Sequence, residues 1–343
     1  HLNVRILSPQ GAEVYSATQQ VNIAGEGNTP LSLSFEIKKP ELWSVDSPHL
    51  YTAHISVRSD KEESDQITVP FGIRTIEFNA KEGFLLNGKP LKLRGGCLHH
   101  DNGLLGAVAL DRAEERKVEL MKANGFNAVR CSHNLPSEYF LQACDKLGLL
   151  VIDEVFDQWQ QAKRPQDYHQ YFDEWSEHDM TTMLRRDRNH PSIIMWSIGN
   201  EVPTQCSPVG YKVASFLQDI CHREDPTRPV TCAMDQVSCV LKNGFAAMID
   251  VPGFNYRAHR YLEAYELLPQ NIVLGSETSS TVSSRGVYKF PVEKRGDAKY
   301  DDHQSSGYDL EHCAWSNVPD EDFALADDYD WTIGQFVWTG FDY

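Results

Sequence analysis

Two glutamates draw attention because each closes an apolar run. Glu201 ends Ile193-Ile-Met-Trp-Ser-Ile-Gly-Asn-Glu201, and Glu277 ends Ile272-Val-Leu-Gly-Ser-Glu277. Short apolar runs of this kind read as buried strands, and each leaves a carboxylate at its far end. Two carboxylates held about 5–5.5 Å apart suit glycoside hydrolysis by double displacement. One attacks the anomeric carbon; the other protonates the leaving oxygen and then deprotonates water. The neighbours fit those roles. Asn200 can hydrogen-bond a sugar 2-hydroxyl, while Arg130 and Tyr256 can keep a nucleophilic carboxylate ionised and oriented. Trp338 offers a flat face to the C–H side of a pyranose.

Such residues need a frame, and the chain supplies one after residue 74. Strand-like runs cover Leu91–Cys97, Ala128–His133, Leu149–Val155, Ile193–Glu201, Pro229–Asp235, Met248–Tyr256, Ile272–Ser279 and Ile333–Tyr343. Between them, Arg112–Asn124, Ser137–Leu147, Tyr171–Asn189, Tyr211–Arg223 and Tyr261–Leu268 carry apolar stripes of helical period. Eight such units in about 270 residues predict an α/β fold, a (β/α)8 TIM barrel spanning 75–343. The rival, a doubly wound sheet, would show a glycine-rich phosphate turn after its first strand, and the sequence has none there. Residues 280–331 have weak periodicity and read as a long decorated loop at the active face.

In a barrel of this kind reactive groups gather where the strands end. Those ends present His99, His100, Arg130, His133, Asp153, Glu154, Asn200, Glu201, Asp235, Asn255, Tyr256, Glu277 and Trp338. A lone glutamate there is more often half of a structural ion pair. Two of them, on strands four and seven of eight, point to chemistry. Consecutive residues of a strand face opposite ways, so one of His99 and His100, and one of Asp153 and Glu154, enters the pocket; Asp153 is assigned to it. The same parity argues against a metal site on His99, His100 and His133. No metal and no cofactor is expected.

Residues 1–74 alternate in short stretches, Val4–Leu7, Gln20–Ile23, Leu31–Ile37 and Tyr51–Val57, separated by turn formers such as Gly25-Glu-Gly-Asn28. That pattern predicts a small β-sandwich with a structural role. With 41% hydrophobic residues the chain can build a sizeable core, and its formal charge of −17 excludes a nucleic-acid partner. No apolar run reaches the ~18 residues of a membrane span. None of the 8 cysteines forms a C-x-x-C pair and several sit in apolar runs, so all read as buried free thiols. The chain opens without methionine and stops in an aromatic run, so it reads as a segment of a longer polypeptide of unspecified compartment. A homo-oligomer of the full-length protein stays open.

The run Asp187-Arg-Asn-His-Pro-Ser-Ile-Ile-Met-Trp-Ser-Ile-Gly-Asn-Glu201 resembles the acid/base signature of glycoside hydrolase family 2, which holds β-galactosidases, β-glucuronidases and β-mannosidases. Asn127-Ala-Val-Arg-Cys-Ser-His133 with Ala143–Glu154 resembles its other signature. Leu93–His100 and Gly334–Tyr343 resemble its first and last barrel strands, and Leu42–Tyr51 with Phe71–Arg74 its immunoglobulin-like domain. The resemblance implies a retaining exo-β-glycosidase with Glu201 as acid/base and Glu277 as nucleophile. It implies sugar contacts from His99, His133, Asp153, Asn200 and Tyr256, with Trp338 lining the pocket. It further implies a jelly-roll domain before His1 and β domains after Tyr343. The expected substrate is a β-linked oligosaccharide or glycoside, a β-galactoside first, with β-glucuronidase or β-mannosidase as alternatives. A catalytically silent sugar-binding scaffold is the reading from another class, and retention of both glutamates speaks against it. Some family members hold magnesium through a Glu and a His after strand three; Gln158 and Gln160 stand at those positions here. Ser280 stands where those enzymes carry a His.

Overall fold

The computed structural model describes residues 1–22, 29–59 and 63–341. Four antiparallel strands form the N-terminal sheet in the spatial order Glu13–Gln19, Leu2–Leu7, Tyr51–Arg58, Glu63–Phe71. Period-2 alternation puts Val4, Ile6 and Tyr51 on one face, where Leu33 and Ile37 cover them. The expected strand at Leu31–Ile37 forms no ladder among the described residues, while Leu33 and Ile37 pack onto the sheet. Residues 20–22 are likewise outside any strand, while Ile23 and the Gly25–Asn28 turn lie outside the described residues.

The sheet is joined to the barrel at the end where the barrel strands begin. Trp43, fully buried, donates its indole N–H to the carbonyl of Asp145 at 2.8 Å. Arg74 donates from Nε to the Pro191 carbonyl at 2.5 Å, just before strand four. Gly148 ends the helix Glu138–Leu147 in a left-handed conformation (φ 76°), and a Cβ there would stand 2.4 Å from the Val45 carbonyl oxygen. Both constraints demand glycine. Gly148→Ala is expected to lower the unfolding free energy by about 1–3 kcal/mol, read as a shift of the urea midpoint.

The barrel closes among the described residues. Its eight parallel strands, in chain order, are Leu93–Leu98, Ala128–Cys131, Leu150–Glu154, Ile193–Asn200, Val230–Met234, Val251–Asn255, Val273–Thr278 and Thr332–Val337, and the last pairs with the first. Each of the eight expected runs contributes one strand, most of them shorter than expected, although the first runs on to Leu98 and the last begins at Thr332; Asp342 and Tyr343 lie outside the described residues. Parity divides the core in two. Leu93, Leu150, Ile152, Met195, Leu274 and Phe336 fill the barrel, while Val129, Val151, Val273 and Trp196 pack against the helices. A small antiparallel meander, Ile76–Asn79, Gly83–Leu86 and Lys89–Pro90, pushes Phe84 and Leu86 into the interior cluster.

The five expected helices appear as Asp111–Ala123, Glu138–Leu147, Phe172–Asp187, Gly210–Glu224 and Tyr261–Leu267. Between strands five and six only two four-residue helices form, Val237–Val240 and Phe245–Met248. The segment after strand seven is more ordered than its weak periodicity suggested. It holds a three-stranded sheet and a helix at Pro319–Asp328, opened by proline and three acids in its first turn. The cysteines need one correction. Cys97, Cys131, Cys144, Cys221 and Cys232 are buried thiols and Cys313 is half-buried, but Cys206 and Cys239 form a disulfide with Cα atoms 5.5 Å apart. Both lie on loops after neighbouring strands, a proximity that sequence spacing does not reveal. Among the described residues no helix is long and apolar enough to cross a membrane. The architecture is a (β/α)8 barrel preceded by a small antiparallel β domain of the immunoglobulin-like kind.

Candidate active site

Arg130 occupies an inward position on strand two and is 1% exposed. Its guanidinium joins two carboxylates. It donates from Nε (3.0 Å) and Nη2 (2.8 Å) to Glu154 Oε2, and from Nη1 to Glu277 Oε2 at 3.1 Å. Nη2 also donates to Asn200 Oδ1 at 2.9 Å, so strands two, three, four and seven meet at one planar cation. Glu154 accepts further from His133 Nδ1 at 2.8 Å and from the Ser197 hydroxyl at 2.5 Å. Burial alone would raise its pKa, but Arg130, His133 and Ser197 outweigh that and bring it down to about 2.

Glu277 is gripped from its other side. The Tyr256 hydroxyl donates to Oε1 at 2.5 Å, and Ser280 donates to that phenol oxygen at 2.9 Å. Burial and the adjacent Glu277 charge raise the Tyr256 pKa, so the phenol keeps its proton and stays a donor. Glu201 has a different setting. Burial, then the Glu277 charge and Asp235, raise its pKa against the Asn255 hydrogen bond and the Lys163 charge.

Asn255 connects the two glutamates. Ser276 donates to its Oδ1 at 2.7 Å and thereby fixes the amide. Its Nδ2 lies 3.0 Å from Glu201 Oε1 and 3.4 Å from Glu277 Oε2. Those two oxygens are therefore no more than about 6.4 Å apart, short of the roughly 6.5–9.5 Å typical of inverting sites. Glu201 (φ 41°), Tyr256 (φ 54°) and Ser279 (φ 50°) all sit in the left-handed region, a strain of about 1–3 kcal/mol each, clustered where the site is built.

One wall is aromatic. His133 stacks on Trp338 with centroids 5.5 Å apart at 6°, and His99 meets Trp338 edge-on at 5.0 Å. His100 instead lies beside Glu114, Lys117 and Phe140 on the helix side. Thus Glu201, Glu277, Arg130, Asn200, Tyr256, His133, His99 and Trp338 converge, and Asp153 does not. Leu150 and Ile152 face the barrel interior, so parity sends Glu154 into the site and Asp153 out behind it. There Asp153 is fully buried beside Asp187, and burial together with that neighbour raises its pKa well above the usual carboxylate range.

Sequence reasoning weighed Glu154 but assigned its place to Asp153, and it missed the bridging role of Asn255 and the part of Asp157 and Lys163 on the loop after strand three. The first was readable from strand parity. The others depend on loop conformation. At the positions aligned with a magnesium site, Gln158 and Gln160 offer neutral amides where a carboxylate and an imidazole would be needed, and these do not fit the ion. Among the described residues no three His, Cys, Asp or Glu side chains form a group able to hold a metal.

Known proteins resemble the chain throughout its length. The family model "Glycosyl hydrolases family 2, TIM barrel domain" matches residues 77–304, and "Glycosyl hydrolases family 2" matches 1–74. A Bacteroides ovatus protein named beta-galactosidase BoGH2A is 37% identical over 90% of this chain and 41% of its own length. A Formosa agariphila protein named putative beta-glucuronidase is 31% identical over 99% of this chain and 33% of its own. The crystal structure of a glycosyl hydrolase family 2 member from Bacteroides cellulosilyticus superposes with a TM-score of 0.84 at 38% identity, covering 98% of this chain and 39% of that one. The chain thus spans about two fifths or less of these relatives. With both models matched, end to end across the β domain and most of the barrel, the chain belongs to glycosyl hydrolase family 2.

Proposed function

We propose that this chain carries the catalytic centre of a retaining exo-β-glycosidase whose substrates are β-galactosides. The observation that supports the reading is the single Asn255 amide reaching both Glu201 and Glu277, because it keeps an oxygen of each within about 6.4 Å, short of the spacing typical of inverting sites. Glu277, held by Arg130 and Tyr256, attacks the anomeric carbon. Glu201, its pKa raised by burial and by Glu277, gives its proton to the leaving oxygen. Once the glycosyl ester forms, Glu277 is no longer charged. The repulsion on Glu201 ends, its pKa falls, and it becomes the base that deprotonates water. His99, His133 and Trp338 close one side of the pocket, which suits a terminal sugar.

The galactoside reading draws on the B. ovatus relative; the F. agariphila relative favours a glucuronide. Among the described residues Arg130 and Lys163 are paired with Glu154 and Asp157, so neither is free to hold a uronate carboxylate. Turnover of aryl β-galactoside, β-glucuronide, β-mannoside and β-glucoside by the full-length protein tests the choice. The galactoside should lead in kcat/KM by roughly 100-fold. A leading glucuronide overturns the sugar assignment, and no turnover of any of the four points to a silent scaffold. Glu201→Gln should slow substrates with poor leaving groups by about 10²–10⁴-fold while sparing the first step for good ones, read from a plot of rate against leaving-group pKa.

A further inference from the structure

The loop after strand three delivers a cation to the acid/base, and its construction is over-determined. The Asp167 carboxylate accepts backbone N–H bonds from Lys163 (2.8 Å), Arg164 (2.7 Å) and His169 (3.1 Å), folding the loop back on itself. Tyr168 stacks on Phe156 and donates to Asp179 at 2.5 Å, pinning the far end to the helix Phe172–Asp187. The result aims Lys163 at the end of strand four. Its ammonium donates to the Asn200 carbonyl at 2.8 Å, one peptide before Glu201, and pairs with Asp157 at 2.7 Å. Asp157 Oδ1 in turn accepts from Asn200 Nδ2 at 3.2 Å.

We propose that Lys163 is a positioning residue for the acid/base: a fixed ammonium, held by Asp157 and the Asn200 carbonyl, that serves in place of a divalent cation beside Glu201. The neutral amides of Gln158 and Gln160 agree with this, since a metal there would lack its anionic ligand. An ammonium is a compact point charge with three donors, and two are already placed. The groups acting on Glu201 are Glu277, Asp235, Asn255 and Lys163; of these Lys163 alone is cationic, and it favours the ionised form needed when Glu201 acts as base.

The inference rests on Glu201 being the acid/base, so the experiment separates the two. In the full-length protein, Lys163→Met should move the alkaline limb of the kcat/KM profile to higher pH, because Glu201 then holds its proton longer. With a good leaving group, where hydrolysis of the ester limits, kcat near pH 5 should drop roughly tenfold. Lys163→Arg, keeping the charge, should restore most of both. Chelator or added magnesium should leave the unmodified protein's kcat unchanged. A Lys163→Met variant that loses only thermal stability, with the pH limb and leaving-group dependence unmoved, overturns the proposal, as does a wild-type requirement for magnesium. If Glu201→Gln fails to discriminate leaving groups, the acid/base assignment itself falls instead.

Discussion

Glu277→Gln should cut kcat by at least about 10⁴-fold on every aryl glycoside and abolish the covalent intermediate. The amide keeps the hydrogen bond from Tyr256 or the one from Arg130 but lacks the negative charge that the proposed attack on the anomeric carbon requires. The measurement is intact-protein mass after incubation with an activated 2-fluoro-β-galactoside. Wild type should gain one sugar, with the label mapping to the peptide that contains Glu277, and the variant should gain none. Labelling of another residue in the wild type, or near-normal turnover by the variant, would end the nucleophile assignment. Substituting Gln also removes the negative charge that raises the Glu201 pKa, so any residual first-step activity should show its alkaline limit at lower pH.

Arg130→Met should be the most damaging substitution for the fold that does not remove a reacting group. The side chain is 1% exposed and Glu154 is fully buried, so deletion leaves an uncompensated buried carboxylate, at about 3–5 kcal/mol. The same change removes the cation that anchors Glu277, leaving Tyr256 and Asn255, so kcat should fall with stability. The pH dependence has a defined sign. Glu154 has a pKa of about 2 in the folded protein against 4.5 ordinarily, so the unfolded chain binds its proton first. Its contribution is full above about pH 4.5 and fades as pH falls toward 2, on the order of 3 kcal/mol in all. Urea unfolding at pH 7 and pH 3 reads this directly. Glu154→Gln should flatten that acid-side loss, and an unchanged slope would mean that other carboxylates govern it.

Much of this architecture was legible before coordinates because its determinants are local. Strand four is a largely apolar run buried at every position, and most of the other barrel strands are buried likewise. Glu201 and Glu277 were visible because charge at the end of such a run has few other uses. What the chain hid was of three kinds. Asp153 and Glu154 are adjacent and chemically alike; only the inward row Leu150, Ile152, Glu154 tells them apart, and that row was available but unused. Leu31–Ile37 has the alternation of a strand but forms no ladder among the described residues, since alternation reports packing and not ladder formation. Asn255, Asp157, Lys163 and the Cys206–Cys239 bridge depend on how loops from separate strands meet, which no short-range pattern encodes.

The β domain grips the barrel through Trp43, Arg74 and Val45, all at the end opposite the carboxylates. Durability and selectivity are thereby assigned to different poles of one molecule. Recombination that grafts rim loops from a relative of different preference onto this chain should consequently preserve its melting temperature far better than exchange of the β domain would.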